Sequence, residues 1–282
     1  MTGWTIGIIG GSGLYDIAGL AGAWERVETP WGAPSDAIFR GRVGAVDVAF
    51  LPRHGRGHVI PPGDINARAN IAALKLVGCT DVVAISSVGS LVAERPPGSF
   101  SIVDQFIDRT KGRPSSFFGP GLVAHVSMAD PVCPRLSALL ADAMPEADRG
   151  GTYLAMEGPQ FSTRAESRLY RSWGAHVIGM TAMPEARLAR EAELPYALVG
   201  MVTDLDSWHE GEGVDVAQVL AQVGANTARA RTLGADLLAA LPAERAASPI
   251  DANLDTAIIT PRSARDPVMV ERLASIAGRV LR

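Results

Sequence analysis

Short apolar runs alternate with amphipathic stretches along most of the chain, a pattern typical of strands and helices in turn. Seven runs have the length and composition of buried or half-buried strands: Thr5–Ile9, Val46–Leu51, Val82–Ser86, Ser101–Ile107, Thr152–Met156, His176–Met180 and Tyr196–Asp204. The stretches between several of these runs have helical periodicity. The pattern therefore predicts an α/β fold built on a largely buried sheet.

Two of the predicted helices have recognisable ends. Asp64 can cap a helix over the segment INARANIAALKLV, which stops at Gly78. Thr163 and Glu166 form a T-x-x-E capping box before a helix that ends near Gly174. We expect both helices to pack their apolar faces on the sheet.

The second half of the chain predicts further helices and a short C-terminal extension. Pro184 suits the first turn of a helix that runs to about Ala192, and the stretch from Val216 to about Leu238 is long and amphipathic. A connector at Leu241–Pro249 leads into an extension, about 245–282, whose helix we expect on the outside. We predict one domain, 1–282, as a three-layer α/β/α sandwich with a central mixed sheet.

Composition narrows the class of protein. The 282 residues are 47% hydrophobic and 20% charged, which is ordinary for a globular chain with a large core. A formal net charge of -4 offers no basic surface for nucleic acid or an anionic membrane. The two cysteines, Cys79 and Cys133, form no CxxC pair, so neither a zinc site nor a redox couple is indicated. With neither a leader-like segment nor an eighteen-residue apolar run, we expect a cytoplasmic protein.

Groups that can bind an anion follow three of the predicted strands. They are the glycine-rich turn Gly10–Gly13, the pair Arg53 and His54, and the segment Ser86–Ser90. Backbone N–H groups, a guanidinium and hydroxyls all suit phosphate oxygens. The glycine turn alone is also compatible with a plain turn or with a dinucleotide fold. However, Asp16 stands where a G-x-G-x-x-G pattern needs its third glycine.

Two carboxylates close the last predicted strand. Asp204 and Asp206 are two residues apart, so within a strand both would point to the same side. Like charges that share a crevice raise the pKa of one of the pair, which makes a carboxyl that can donate a proton. A helix cap and a metal pair are the less favoured interpretations of these two residues.

Seven motifs, in order, resemble the purine nucleoside phosphorylase superfamily, and specifically its 5′-methylthioadenosine phosphorylase branch. They are IGIIGGSGL, LPRHGRGH, SSVGSL, DQFIDRT, EGPQFSTRAE, GMTAMPEA and VTDLDSW. The resemblance runs from about Ile6 to Leu241. One departure is the segment Ser86–Ser90, where the branch usually has a T-T-A-C-G-S-like strand end.

The resemblance implies a role for individual positions. The phosphate-binding positions of the family fall on Ser12, Arg53, His54, Ser86 and Thr181, with a backbone contact from Ser87. The positions that hold the purine and ribose fall on Phe161, Ile178 and Met180, with Asp204 and Asp206 reading the base. His125 would reach the 5′ end of a nucleoside bound to the neighbouring subunit, and Val214, Val219 and Leu220 would line the apolar pocket there.

The resemblance further implies a pentosyltransferase that splits a nucleoside with inorganic phosphate as co-substrate and without metal or organic cofactor. It also implies a homotrimer whose subunits share active sites. Asp204 favours a 6-aminopurine, because phosphorylases of 6-oxopurine nucleosides generally have Asn there. Phosphorolysis of inosine, guanosine or methylthioinosine remains an alternative, and a dinucleotide-binding oxidoreductase is a remote one.

Overall fold

The computed structural model describes residues 3–11, 20–209 and 215–281 of the chain. Within these residues the strands are β1 (Thr5–Gly10), β2 (Ala21–Glu25), β3 (Ile38–Val43), β4 (Val46–Pro52), β5 (Asp81–Ser90), β6 (Phe100–Val103), β7 (Gln105–Asp108), β8 (Asp148–Arg149), β9 (Thr152–Ala155), β10 (Val177–Gly179) and β11 (Tyr196–Asp204). The helices are α1 (Ala67–Leu76), α2 (Pro134–Ala143), α3 (Arg164–Ser172), α4 (Ala182–Glu191), α5 (Val216–Ala240), α6 (Pro267–Arg272) and α7 (Ala274–Leu281).

Strand β5 is the centre of the sheet. It pairs with β11 in parallel along most of its length, and β11 pairs on its other side with antiparallel β6. The other edge of β5 is shared by two strands, because parallel β1 pairs with its first half and antiparallel β10 with its end. The sheet is therefore mixed, as predicted. At the carboxyl end of β5, this strand lies between β10 and β11.

Helices cover both faces of the sheet. On one face, residues of α1, α4 and α7 share a buried apolar cluster with Ile9, Val82 and Leu198. On the other face, α2 and α5 share a second cluster with Ile8 and Val83. Successive residues such as Ile8 and Ile9 enter opposite clusters because side chains alternate across a strand. This arrangement confirms the three-layer α/β/α sandwich.

The strand predictions are confirmed with one correction. The stretch Ser101–Ile107 is not one strand, because β6 and β7 are separate and pair with β11 and β9 respectively. The antiparallel pair β2 and β3 was not predicted. β2 is largely exposed, so it lacks the apolar alternation that marks a buried strand.

The helix predictions are confirmed in position and corrected at two ends. The cap of α1 is Asn66, whose side chain accepts a hydrogen bond from Ala69 N–H, and not Asp64, which belongs to a short 3₁₀ turn. The capping box of Thr163 and Glu166 is present at the start of α3. The C-terminal stretch forms two helices, α6 and α7, that meet at buried Leu273.

The C-terminal helix is packed against the body of the fold. Leu273 and Ile276 belong to the cluster that α1 and α4 form on the sheet. Arg279 of α7 makes an ion pair with Glu193, the residue that follows α4 by two positions. Within the described ranges, no helix is both long and apolar enough to cross a membrane.

Candidate active site

The carboxyl end of β5 brings together two hydroxyls that are distant in sequence. Ser86 Oγ lies 3.2 Å from Thr181 Oγ1, at the point where β10 ends and α4 begins. Ser86 is buried, whereas Ser87 is exposed on the open side of the strand. Three of the predicted anion-binding residues therefore lie close together: Ser86 and Ser87 toward the carboxyl end of β5, and Thr181 in the turn after β10.

Arg53 lies beneath this point and is completely buried. Its Nε and Nη2 donate to the two carboxylate oxygens of Glu185, at 2.9 and 3.1 Å. Its Nη1 donates to the Ile85 carbonyl at 2.8 Å, one residue before Ser86. Tyr196 Oη also donates to Glu185, at 2.8 Å. The guanidinium thus supplies positive charge below Ser86, but most of its donors are already occupied by the protein.

His54 is neutral over the usual pH range of an enzyme assay. Burial is the main cause that lowers its pKa to about 4, and the nearby Arg53 charge acts in the same direction. Its Nδ1 lies 2.9 Å from the Ile60 carbonyl, so the tautomer with a proton on Nδ1 is favoured. Nε2 then carries a lone pair. The ring is therefore an uncharged group with an acceptor at Nε2, and its contact with phosphate stays a prediction.

The two carboxylates adjoin the same strand end but not in the way the sequence predicts. Asp204 ends β11 opposite Gly89 of β5, while Asp206 begins a 3₁₀ turn with a positive φ of 47°. Asp206 N–H donates to Asp204 Oδ1 at 2.8 Å, and Thr203 Oγ1 donates to Asp204 Oδ2 at 2.7 Å. The carboxylates are neighbours because the chain turns back after Asp204, and not because both point from one face of a strand.

The environment disfavours the charged form of Asp206. Burial raises the pKa of Asp206, the negative charge of Asp204 adds to this, and hydrogen bonding from Ser167 and Ser162 opposes it. Two adjacent carboxylates that share one proton can donate a hydrogen bond from one site and accept at the other. The pair therefore suits a ring that presents both a donor and an acceptor.

Residues 157–163 form a loop beside this pair. Ser207 Oγ donates to the Ser162 carbonyl at 2.7 Å, which ties the loop to the turn that holds Asp206. Phe161 of this loop is 41% exposed, so its ring is accessible. Ile178 is buried next to Gly89, where a Cβ would lie 3.1 Å from Ile178 Cγ2 and 2.9 Å from Asp204 Oδ1. These contacts place Ile178 and Asp204 on either side of Gly89 and tie the loop that carries Phe161 to the turn of Asp206.

Arg113 and Glu157 were not predicted, although they hold this loop in place. Arg113 Nε lies 3.1 Å from both oxygens of the Glu157 carboxylate, and its Nη2 donates to the Glu157 carbonyl at 2.7 Å. Its Nη1 donates to the carbonyl of Met180 at 2.7 Å. One side chain thus connects the loop to the turn at Met180. No pattern around Arg113 in the sequence indicates this role.

The remaining predicted residues are farther from this centre or outside the described ranges. His125 is exposed, and its backbone N–H donates to the Ala257 carbonyl at 2.9 Å. Val219 and Leu220 lie in the first turns of α5, where Leu220 is 65% exposed. Ser12 and Val214 lie outside the residues that the structure describes. Among those it does describe, no three His, Cys, Asp or Glu side chains are arranged to hold a metal ion.

The fold and these strand-end residues define a class of protein. The chain belongs to the phosphorylase superfamily, whose family model matches residues 5–241. It is 57% identical to an S-methyl-5′-thioadenosine phosphorylase of Cereibacter sphaeroides, with 98% of each chain covered. It is 54% identical to the enzyme of that name from Rhodospirillum rubrum, with 98% of this chain and 97% of the relative covered.

Solved structures agree with this assignment. A methylthioadenosine phosphorylase from an antarctic soil metagenomic library superposes with a TM-score of 0.91 at 44% identity, covering 98% of this chain and 99% of that one. A mutant adenosine/methylthioadenosine phosphorylase from Schistosoma mansoni, in complex with adenine, gives 0.80 at 37% identity, covering 84% and 91%. The family resemblance and the fold predicted from the sequence are confirmed.

Proposed function

We propose that the protein is a pentosyltransferase that cleaves S-methyl-5′-thioadenosine with inorganic phosphate, giving adenine and 5-methylthioribose 1-phosphate. The paired carboxylates carry this proposal, because Asp204 and Asp206 lie side by side at the strand end, and one proton shared between them gives the donor and the acceptor that an adenine edge requires. The names of the relatives from Cereibacter sphaeroides and Rhodospirillum rubrum support it. Such a reaction returns its products to purine and methionine salvage.

Phosphate is proposed to bind at the carboxyl end of β5. The hydroxyls of Ser86 and Thr181 and the backbone of Ser87 donate to its oxygens, and Ser12 adds a further donor from the glycine-rich turn. Arg53 acts mainly as a buried positive charge under the anion, since Glu185 already occupies much of its guanidinium. Neutral His54 accepts, at Nε2, a hydrogen bond from the remaining proton of hydrogen phosphate.

The nucleoside is proposed to lie between this anion and the carboxylates. Phe161 and Ile178 pack on the purine, and Met180 contacts the ribose hydroxyls. The 5′ end points to a pocket formed by Val214, Val219 and Leu220 together with His125 of a neighbouring subunit in a homotrimer. An apolar pocket accommodates a methylthio group better than a hydroxyl, because a hydroxyl would lose its hydrogen bonds to water there.

The chemistry then depends on placement and charge. A phosphate oxygen attacks C1′ of the ribose as the bond from C1′ to purine N9 breaks, and the sugar gains positive charge on the way. The bonding electrons move into the purine ring, and the one proton shared by the Asp204 and Asp206 carboxylates passes through Asp204 to N7, so that neutral adenine leaves and the pair is left without its proton. The negative phosphate stabilises the developing cation, so no metal or organic cofactor is required.

One assay tests the proposal. Purified enzyme is incubated with methylthioadenosine, adenosine, methylthioinosine or inosine, each with and without phosphate, and release of the base is measured. We expect phosphate-dependent release with the highest kcat/KM for methylthioadenosine. A preference for the two 6-oxopurine nucleosides would support the alternative substrate class. Release that proceeds equally without phosphate would indicate a hydrolase and overturn the proposal.

A further inference from the structure

Two neighbouring residues of β5 hold the two ends of the short segment 204–208. Asp204, where the segment begins, is the register partner of Gly89. Trp208, where the segment ends, donates a hydrogen bond from its indole Nε1 to the carbonyl of Ser90 at 2.8 Å. The segment therefore departs from β5 at one residue and rejoins it at the next, which makes it a closed loop.

Asp206, the middle residue of this loop, has a backbone conformation that depends on its surroundings. Its φ is positive, at 47°, in the left-handed region that residues other than glycine seldom adopt. A residue persists there when the contacts around it fix the chain. The N–H of Asp206 donates to Asp204 Oδ1 at 2.8 Å, which fixes the first half of the loop. The second half is held by Ser207, whose Oγ donates to the Ser162 carbonyl, and by Trp208.

The Trp208 side chain is itself held by packing and by a cation. The guanidinium of Arg171, in the last turn of α3, lies over the indole ring, with its Cζ 3.7 Å from the ring centroid. A cation in this position is attracted by the negative face of the indole. The ring also packs on a buried apolar cluster, which consists of Leu91, Leu154, Tyr170, Ala175 and Ile178. This cluster includes one of the residues proposed to contact the purine.

We propose that Trp208 is a positioning residue that closes the loop 204–208 and holds the Asp206 carboxyl at the place where the purine binds. This inference rests on the proposed function, in which Asp204 and Asp206 contact the base. Since Trp208 acts through the loop, its effect should appear in the binding and release of the base. The proposed phosphate-binding hydroxyls are not part of the loop, so the affinity for phosphate should not change.

The test is Trp208→Phe, which keeps an aromatic ring next to Arg171 and removes the indole N–H. We expect kcat/KM for methylthioadenosine to fall about tenfold, which is the effect of losing about one net hydrogen bond. The Kd for adenine, measured by calorimetry, should rise by a similar factor. The KM for phosphate should remain near that of the unmodified enzyme.

Trp4→Phe is the matched control. Trp4 makes the same two kinds of contact, because its Nε1 donates to the Pro242 carbonyl at 2.7 Å and Arg135 Cζ lies 4.9 Å from its ring centroid. It directly precedes β1 and belongs to the apolar cluster that α2 and α5 form on the sheet. This variant should have a lower Tm but an unchanged kcat/KM and adenine Kd. Equal losses of kcat/KM in the two variants would indicate a general effect on the fold and would overturn the role of Trp208.

Arg171→Leu tests the same role without removing a buried group. Arg171 is exposed, so its substitution leaves the core intact. We expect kcat/KM for methylthioadenosine to fall about two- to fivefold, the effect of losing a cation–π contact at an exposed site. If Trp208→Phe folds and leaves both kcat/KM and the adenine Kd unchanged, the role of Trp208 is overturned. If Trp208→Phe does not fold, the result for Arg171→Leu decides in its place.

A double variant separates this inference from the proposed function. If Asp206→Asn alone leaves kcat/KM unchanged, the proposed base site is wrong, and the role of Trp208 fails with it. If Asp206→Asn lowers kcat/KM, adding Trp208→Phe should lower it further by less than it does in the unmodified enzyme, because the two residues act as one unit. The same further loss in both backgrounds would show that Trp208 acts independently of Asp206, and would overturn the inference while leaving the proposed function intact.

Discussion

Arg53 illustrates how a single residue can serve both binding and folding. The sequence places it in an anion-binding motif, whereas the structure buries it in an ion pair with Glu185 that also includes Tyr196. A buried ion pair adds little net stability, but removing one member leaves the other charge without a partner in a low-dielectric interior. Substitution of Arg53 therefore acts first on the stability of the fold and only then on the binding of phosphate.

We expect Arg53→Ala to lower the free energy of unfolding by about 3–5 kcal/mol, the usual effect of leaving a buried charge unpaired. Urea unfolding followed by circular dichroism measures this. The double variant with Glu185→Gln removes both charges and should recover part of the loss. If Arg53→Ala unfolds at the same urea concentration as the unmodified protein, the ion pair contributes nothing to the fold.

Asp206 also serves both binding and folding. In contrast to the charge of Arg53, the charge of Asp206 is disfavoured by folding. Burial raises its pKa, so folding disfavours the charged carboxylate. The stability contributed by this group is fully present below the ordinary pKa of an aspartate, and it is lost as the pH rises through the raised pKa. Its positive φ also suits asparagine, which tolerates the left-handed region well.

We therefore expect Asp206→Asn to raise the Tm at pH 7, with a gain that shrinks as the pH is lowered toward 4. The same change should lower kcat/KM for methylthioadenosine by about tenfold or more, because a carboxyl that exchanges a proton with Asp204 is lost. Thermal unfolding over a pH series and steady-state kinetics measure the two effects. A variant that is less stable at pH 7 would show that the charged form is not disfavoured there.

At the scale of elements, the site depends on how one loop is held against one turn. The loop 157–163 carries Phe161, the turn after β10 carries Met180, and the Arg113 side chain bonds to both segments. A lysine has a single ammonium and cannot reproduce this forked set of hydrogen bonds. The relative position of the purine-contact and ribose-contact residues therefore depends on a guanidinium.

Arg113→Lys should raise the KM for methylthioadenosine by about tenfold, while the KM for phosphate changes little. The reason is that the charge is kept but the connection between loop and turn is loosened. Arg187→Lys is the control, since Arg187 is partly exposed and pairs with Asp108, which is not part of the loop 157–163. Initial-rate measurements with each substrate varied in turn distinguish the two affinities. A rise of the phosphate KM alone would contradict this assignment.

The sequence predicts the elements better than the contacts between them. The strands β1, β5 and β11 were predicted because their buried residues form continuous apolar runs. The cap of α1 was misplaced because Asp64 and Asn66 are both good capping residues. Ser86 and Thr181 could be grouped only through the family resemblance, being 95 residues apart in sequence. Arg113 was missed because tertiary packing alone gives it its role.

At the scale of the whole molecule, the exposed His125 is compatible with a site completed by a neighbouring subunit. A contact in which one surface of a subunit meets a different surface of the next closes naturally into a ring, such as a trimer. In such a ring, each active site takes its phosphate-binding residues from one chain and His125 from another. Activity would then depend on assembly.

Mixing two variants of reduced activity, Thr181→Ala and His125→Ala, after dissociation and reassembly tests this dependence. About a quarter of the sites in randomly mixed rings should pair an intact Thr181 with an intact His125, so roughly a quarter of the activity should return. Light scattering on the separated material gives the number of subunits. A fully active monomer, or no recovery in verified mixed rings, would exclude a shared site.

Strand β5 also sets the distance between the proposed phosphate position and the carboxylate that would contact the purine base. Ser86, at the proposed phosphate, and Gly89, opposite Asp204, are three residues apart on one extended strand. With a rise of about 3.3 Å per residue, the separation is about 10 Å and cannot stretch. Exchanging side chains at either end can alter the anion or the base that is accepted. The spacing of the two positions is fixed by the strand backbone, so exchanging side chains around the site leaves the distance between the phosphate position and the base position unchanged.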